Sequence, residues 1–424
     1  MRPAFLFLLV AGFFAPYPTS AAQSAGEETL AEYLTVFQSA FLRIERDGLQ
    51  AAGPRRLVEA AIAGLLSSID PQAAYFDKKA LSLQKSAADT VGLAVTLRHG
   101  ALEVIAPSEG SPAAKAGIKS GDIVLTIGRE PVEGLSLAEF ESRLEGPPGS
   151  VVRLRLERHG LDHPLRVRVR RQEFRQRRVA DRLIGALGYL RVCGFDAETP
   201  AAVAAALKDL EKKSARKLRG LILDLRDNPG GNFRAAVEVA DLFLDKGVIA
   251  FLQNRGGAPQ PLRAHRGDVA AGLPIAVLID RGTAGEAELV AAALKDNRRA
   301  VLLGRRSFGL DQIEKTIPLK GGGAIRLAAA RFLTPLRRDI AGRGIAPDIP
   351  VRPVRLERLK EGLRIREADL PGALKNPDRK GPKALFPATA KAPFRSVPPL
   401  RGDESLLRAA DILRAFAVTG REGG

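Results

Sequence analysis

The stretch beyond Val179 constrains the fold most, because short apolar runs alternate there with longer runs of helical period. "GALGYLRV" precedes "ETPAAVAAALKDLEKKS", "LRGLILDLRD" precedes the residues after "NPGGN", and "PIAVLID" precedes "EAELVAAALKD". Strands that are apolar along their whole length need cover on both faces, and intervening helices supply it. Residues 173–352 are therefore expected to form an α/β core around a largely parallel sheet.

The pattern upstream is different. Between about Thr90 and Arg171 the runs "GLAVTL", "LEVIAP", "DIVLTIG" and "VVRLRLER" are short, β-type and punctuated by glycine and proline, which marks a β-rich module over 86–172. Ahead of it, Leu30, Leu34, Phe37, Phe41 and Ile44 recur at helical spacing, and a second helical run, "RRLVEAAIAGLLSSI", stops at Asp70 and Pro71. These make a helical segment over 23–85. Residues 1–22 read as a signal peptide: Arg2, an apolar run from Ala4 to Ala15, then Ser20, Ala21 and Ala22, with cleavage after Ala22. A retained anchor helix is the alternative, although the run is shorter than the roughly 20 residues a span needs.

Residues 353–402 are basic and proline-rich and read as a linker. Residues 403–424 hold an amphipathic helix capped by Asp403 or Ser405, with Leu406, Leu407, Ala410, Leu413 and Phe416 towards one face. That face needs a partner, either its own domain or a second subunit.

Composition excludes several chemistries. The single cysteine, Cys193, forbids an internal disulfide and lies in an apolar run, as a buried inert thiol would. The four histidines include only one pair four apart, His159 and His163, in a β-type region, so no metal site, cofactor or Ser-His-Asp triad is expected. The net charge of +18 is scattered, tryptophan is absent and there are four tyrosines, so stacking platforms for nucleic acid are missing. The charge is read as solubility plus weak association with an anionic envelope.

The motifs say more. In "EGSPAAKAGIKSGDIVLTIG", Gly110, Pro112, Ala113, Ala116, Gly117, Ile118, Gly121, Asp122 and Ile123 stand as in the PDZ family, which this stretch resembles. The resemblance implies capture of an extended peptide as an added strand, its terminal carboxylate held by backbone amides, with Gly92, Leu93, Ala94 and Val95 as the peptide-binding edge. A β-module without a ligand is the alternative.

Six phrases in order, "SSIDPQAAYF", the PDZ run, "GYLRV", "LILDLRDNPGGN", "GTAGEAELVAAALKDNRRAVLLGRRSFGLDQ" and "GRGIAPDIPV", resemble the carboxy-terminal processing peptidases, or tail-specific proteases, over nearly the whole chain after the leader. That resemblance implies a serine-type peptidase with a serine-lysine dyad on an α/β core bearing an inserted PDZ domain and helical terminal segments. Here the serine position is Gly285 and the lysine position Leu310. The resemblance also places oxyanion-hole candidates at Gly230 and Gly231, a glutamine where Glu314 stands and a glycine where Asp311 stands.

Acyl transfer by such a dyad needs an oxygen nucleophile and a neutral amine to take its proton. Gly285 has nothing to attack with and Leu310 has no lone pair. Thr283 and Ser307 are the candidates for a relocated nucleophile; Lys295 and Lys315 are poorly placed bases. Glu286 and Glu288 are expected to complement the helix dipole.

The expectation is an exported pseudopeptidase of the bacterial periplasm or cell envelope that binds protein C-terminal tails without hydrolysis. It would act alone, as a homodimer, or as regulator of an active peptidase relative. The alternative is an active endopeptidase cutting near protein C-termini with a relocated nucleophile.

Overall fold

The computed structural model describes residues 21–49, 53–70, 72–78, 81, 91–98, 100–174, 176–214, 217–352 and 403–419. The signal-peptide reading, apart from Ala21 and Ala22, and the proline-rich linker lie outside these residues. No described helix is long and apolar enough to cross a membrane.

The chain divides into two units, up to Leu65 and from Leu66 onward. The first holds α1 (Ala21–Asp47) and most of α2 (Pro54–Ile69). In α1 the expected apolar positions Leu30, Leu34, Phe37 and Ile44 are exposed.

The second unit begins with a short strand, β1 (Ala74–Phe76), and then the β-rich module. Its strands are β2 (Leu93–Arg98), β3 (Ala101–Pro107), β4 (Ile123–Ile127), β5 (Glu130–Pro131), β6 (Val151–Glu157) and β7 (Leu165–Arg170). They form an antiparallel sheet in the order β2-β3-β4-β6-β7, with β5 beside β4. Two helices accompany it, α3 (Pro112–Lys115) and α4 (Leu137–Leu144). In β6, Val152, Leu154 and Leu156 point to the core and the residues between them to solvent. Sequence reasoning missed α4, although Ser136 and Glu139 exchange the reciprocal bonds of a capping box and Phe140 is fully buried.

The core has two sheets. The first runs β17 (Ile349–Pro350), β14 (Ala300–Gly304), β13 (Ile275–Ile279), β10 (Leu221–Asp224), β9 (Leu187–Val192), β8 (Val179–Ile184) and is parallel except for the β8–β9 pair. Leu221, Leu223 and Val277 meet the helices α5 (Thr199–Lys213), α6 (Phe233–Asp241) and α7 (Glu286–Asp296) on one face. Ile222, Ala276 and Leu278 face Leu406, Ala409, Ala410 and Leu413 of α8 (Glu404–Thr419) on the other.

The terminal helix thus packs on its own domain. Asp403 caps it by accepting from Leu406 N at 3.1 Å and pairs with Arg226, while Phe416 stays half-exposed, off the expected stripe.

The second sheet was not anticipated. β11 (Val248–Asn254), β12 (Gln260–Arg263), β15 (Gln312–Pro318) and β16 (Ala324–Leu333) join β1 in an antiparallel sheet, so a largely parallel sheet accounts for only part of the core. β11 carries an apolar run, "VIAFL", but β15 and β16 intersperse charges, as in "QIEKTIP", and do not read as continuous apolar strands.

Candidate active site

The turn between β13 and α7 is built around Asp280. Its carboxylate accepts from Asp227 N at 3.0 Å and Gly282 N at 2.9 Å, while Asp280 N donates to Thr283 Oγ1 at 2.9 Å. Burial, then the charge of Asp227, pushes the Asp280 carboxyl up to about 6. The Thr283 hydroxyl donates to Leu225 O at 2.8 Å and is fully buried. This threonine is a structural bolt.

Gly285 ends the turn at φ 55°, ψ −121°, a conformation L side chains rarely adopt. A Cβ placed there would lie 3.5 Å from Pro229 O and 3.9 Å from Leu310 Cδ2. The two positions singled out by the family resemblance therefore face each other, with only hydrocarbon on the Leu310 side.

Glu288, in the first turn of α7 and fully buried, ties this turn to the next. Its carboxylate accepts from Gly285 N at 3.1 Å, Gly309 N at 2.8 Å, Leu310 N at 2.8 Å and the Ser307 hydroxyl. Burial raises its carboxyl to about 7, against these hydrogen bonds, which favour the charged form. Ser307 Oγ in turn accepts from Ile345 N at 2.6 Å, so both its donor and acceptor capacities are used.

The "DNPGGN" turn holds Gly230 and Gly231 at φ 103° and 140°. Their amides are engaged rather than open to the cleft as expected. Gly230 N donates to Asn228 Oδ1 at 2.9 Å, and Gly231 N to Glu286 Oε2 at 2.8 Å. A side chain at Gly230 would collide with that same glutamate oxygen.

Glu286 is 8% exposed, and burial pushes its carboxyl up to about 7, with the Gly231 amide and its own opposing and Glu314 adding to the rise. Sequence reasoning gave Glu286 and Glu288 to the helix dipole; both instead make specific buried contacts. Helix-start glutamates are too common for the sequence to signal this.

The β-rich module abuts the site. Its edge strand β2 brings Ala94 into an apolar cluster with Ile105, Ala106, Ala284, Phe308 and Leu310. Arg98 lies 4.7 Å over the Phe308 ring, and the Ser120 hydroxyl donates to Asp227 Oδ1 at 2.7 Å. Just ahead of β2, Gly92 O accepts from Ser108 N at 2.9 Å and the Ser111 hydroxyl at 3.1 Å.

The other candidates lie elsewhere. Lys295 is bound to Asp348 at 2.8 Å and Ala346 O at 2.7 Å, and Lys315 is exposed on β15. Cys193 is buried, its thiol pushed up to about 12 by burial.

The peptidase family S41 profile matches residues 186–351, and a PDZ domain profile matches 103–158. The carboxy-terminal-processing protease of Bartonella bacilliformis is 36% identical over 356 residues, 82% of this chain and 82% of that protein. The carboxyl-terminal-processing protease of Synechocystis sp. is 36% identical over 265 residues, 61% of each chain. A solved photosystem II D1 C-terminal processing protease superposes with a TM-score of 0.65 at 29% identity, covering 73% of this chain and 86% of that one. By identity and coverage, the chain belongs to the carboxy-terminal processing proteases of peptidase family S41 and carries their PDZ domain.

Proposed function

We propose that this protein, exported to the bacterial periplasm or envelope, captures the C-terminal tails of other proteins on its PDZ edge without hydrolysing them. The observation that carries the reading is the meeting of Gly285 and Leu310, positions whose side chains offer neither a nucleophile nor a base. Thr283 and Ser307, the nearest hydroxyls, are buried with their hydrogen bonds spent on the frame, which disfavours a relocated nucleophile. Glu286 on the Gly231 amide leaves that candidate oxyanion donor already engaged. The PDZ edge shares an apolar cluster with both turns, so a tail laid along β2 would be delivered beside Gly285. Regulation of an active relative, alone or as a homodimer, is the role such capture best suits.

The test is incubation of the purified full chain with an unstructured polypeptide ending in an apolar residue. The expected result is no cleavage above buffer and micromolar binding of free-acid peptides in preference to amidated ones. Turnover abolished by Thr283→Ala or Ser307→Ala would overturn the reading, and equal affinity for acid and amide would remove the carboxylate capture.

A further inference from the structure

The outward face of the PDZ sheet carries an arrangement the peptidase reading does not use. β6 and β7 pair antiparallel in a register that sets Arg153 directly opposite Arg168 and Arg155 opposite Arg166, with Arg170 next along, opposite Val151. All of these residues are exposed. Among the described residues none of these arginines makes an ion pair or side-chain hydrogen bond. The neighbouring strand β4 offers Thr126 beside Arg155 and no acid; the carboxylates on this face, Glu157 opposite Ile123 and Glu103 beyond it on β3, stand at its far end, and Glu103 pairs with Arg98.

Like charges directly opposite in a sheet repel, their Cβ atoms being only about 4.5–5.5 Å apart. The guanidinium stays charged at any physiological pH and takes phosphate oxygens two at a time. Along each strand the arginines recur every about 6.5–7 Å. The result is a cationic grid whose repulsion an array of phosphates would relieve.

We propose that this β6–β7 face docks on an anionic phospholipid surface. A two-stranded ribbon can also enter the major groove of a duplex, so duplex DNA is the competing occupant that the experiment below reads. The face holds no aromatic side chain on which bases could stack, which disfavours single strands. Leu161, in the connecting turn, is 48% exposed and gives the grid an apolar tip suited to a headgroup layer. The inference is independent of whether the core hydrolyses peptides.

The test uses the full chain and sedimenting phosphatidylcholine vesicles with and without roughly 30% phosphatidylglycerol at low salt. The wild type is expected to bind the anionic vesicles, and to leave them as salt shortens the screening length from about 30 Å to about 3 Å. The variant Arg153→Ser/Arg155→Ser/Arg166→Ser/Arg168→Ser should lose at least about a hundredfold in partitioning, several-fold for each charge removed near the surface. Its melting temperature should be unchanged or higher, because the repulsion is gone. A charge-matched variant, Arg255→Ser/Arg263→Ser/Arg266→Ser/Arg305→Ser, should bind as the wild type does. Binding to pure phosphatidylcholine, which reads any contribution of the apolar run Ala4–Ala15, should be equal in all three. Undiminished binding by the first variant, equal losses in both, or a wild type that prefers duplex DNA to the vesicles would each overturn the proposal.

Discussion

The PDZ edge and the turns at Gly285 and Leu310 touch the same apolar cluster, yet they differ in how frame and functional groups are related. At β2 the frame and the functional groups are the same atoms, because strand addition uses backbone amides and carbonyls that almost any sequence supplies. At the peptidase turns the frame and the functional groups are separate. Asp280, Thr283, Glu288 and Ser307 hold the loops, and the reacting atoms would be hung upon them. Such a frame does not depend on which side chains stand at positions 285 and 310, since none of its own bonds passes through them.

The largest effect available to break that contrast comes from placing a nucleophile and a base on the frame. Gly285→Ser with Leu310→Lys places an oxygen and an amine at positions already facing each other, in surroundings apolar enough to depress the amine's pKa. Glu286 would still hold the Gly231 amide, and one missing oxyanion donor costs about 10²–10³ in rate. Asp311, 4% exposed with Oδ2 unpartnered, could hold the new lysine protonated. Acylation of position 285 by a serine-directed probe, read by mass spectrometry, should therefore be weak in the double variant and rise when Glu286→Ala and Asp311→Gly are added. Neither single variant should label, since either group alone leaves the reaction incomplete. A folded quadruple variant that stays unlabelled would mean the geometry itself has drifted.

Next in size is the frame's own stability. Glu288→Ala strands three backbone amides and the Ser307 hydroxyl in a buried site and opens a cavity, an expected loss of about 3–5 kcal/mol by denaturant titration. The PDZ counterpart, Ser136→Ala, removes an exposed cap and should cost about 1 kcal/mol. Equal losses would show that Glu288 is no clamp.

The same carboxylates set a pH dependence. Glu286 and Glu288 are raised from 4.5 to about 7 in the fold, chiefly by burial, so the folded state keeps protons that the unfolded chain releases between those values. Their stabilising contribution is complete below about 4.5 and is lost as pH rises through about 7, on the order of a few kcal/mol. Asp224 acts in a separate window: despite burial, Arg226 and Arg191 pull its carboxyl down, so its contribution is lost only as pH falls below 3.8. Melting temperature should fall between pH 5 and 7.5 in the wild type and less so in Glu288→Gln. A flat profile in both would mean water reaches the pair.

Much of this was legible in the residues, for identifiable reasons. Parallel strands such as "LILD" and "IAVLI" are buried on both faces, so period and composition agree and the sheet could be read directly. The antiparallel sheet around β16 and the short helix α4 escaped because half-buried elements mix charged and apolar residues over few turns. At the site, motif order singled out Gly285 and Leu310, which lie close together in the fold, but no local pattern could say where the glutamates point. Gly231 meeting Glu286 is a contact across 55 residues, decided by packing.

The smallest predicted effect separates the two regions most cleanly, because it adds one methyl group to each. Gly92 and Gly285 both have positive φ, 69° and 55°, so alanine is strained at either by about 1–2 kcal/mol. The surroundings differ. At Gly92 the methyl would collide with the Ser111 side chain, whose hydroxyl bonds the Gly92 carbonyl, so the loop leading into β2 must shift. At Gly285 the nearest atoms stand at ordinary contact distance, 3.5 and 3.9 Å, and nothing need move. Gly92→Ala should therefore lose both stability beyond the strain and most affinity for free-acid peptides. Gly285→Ala should lose about 1–2 kcal/mol and leave peptide binding intact. Calorimetry and peptide titration on the two variants decide it. A Gly285→Ala variant that loses peptide affinity as Gly92→Ala does would mean the bound tail occupies the space beside residue 285, and the two regions form one continuous binding cleft.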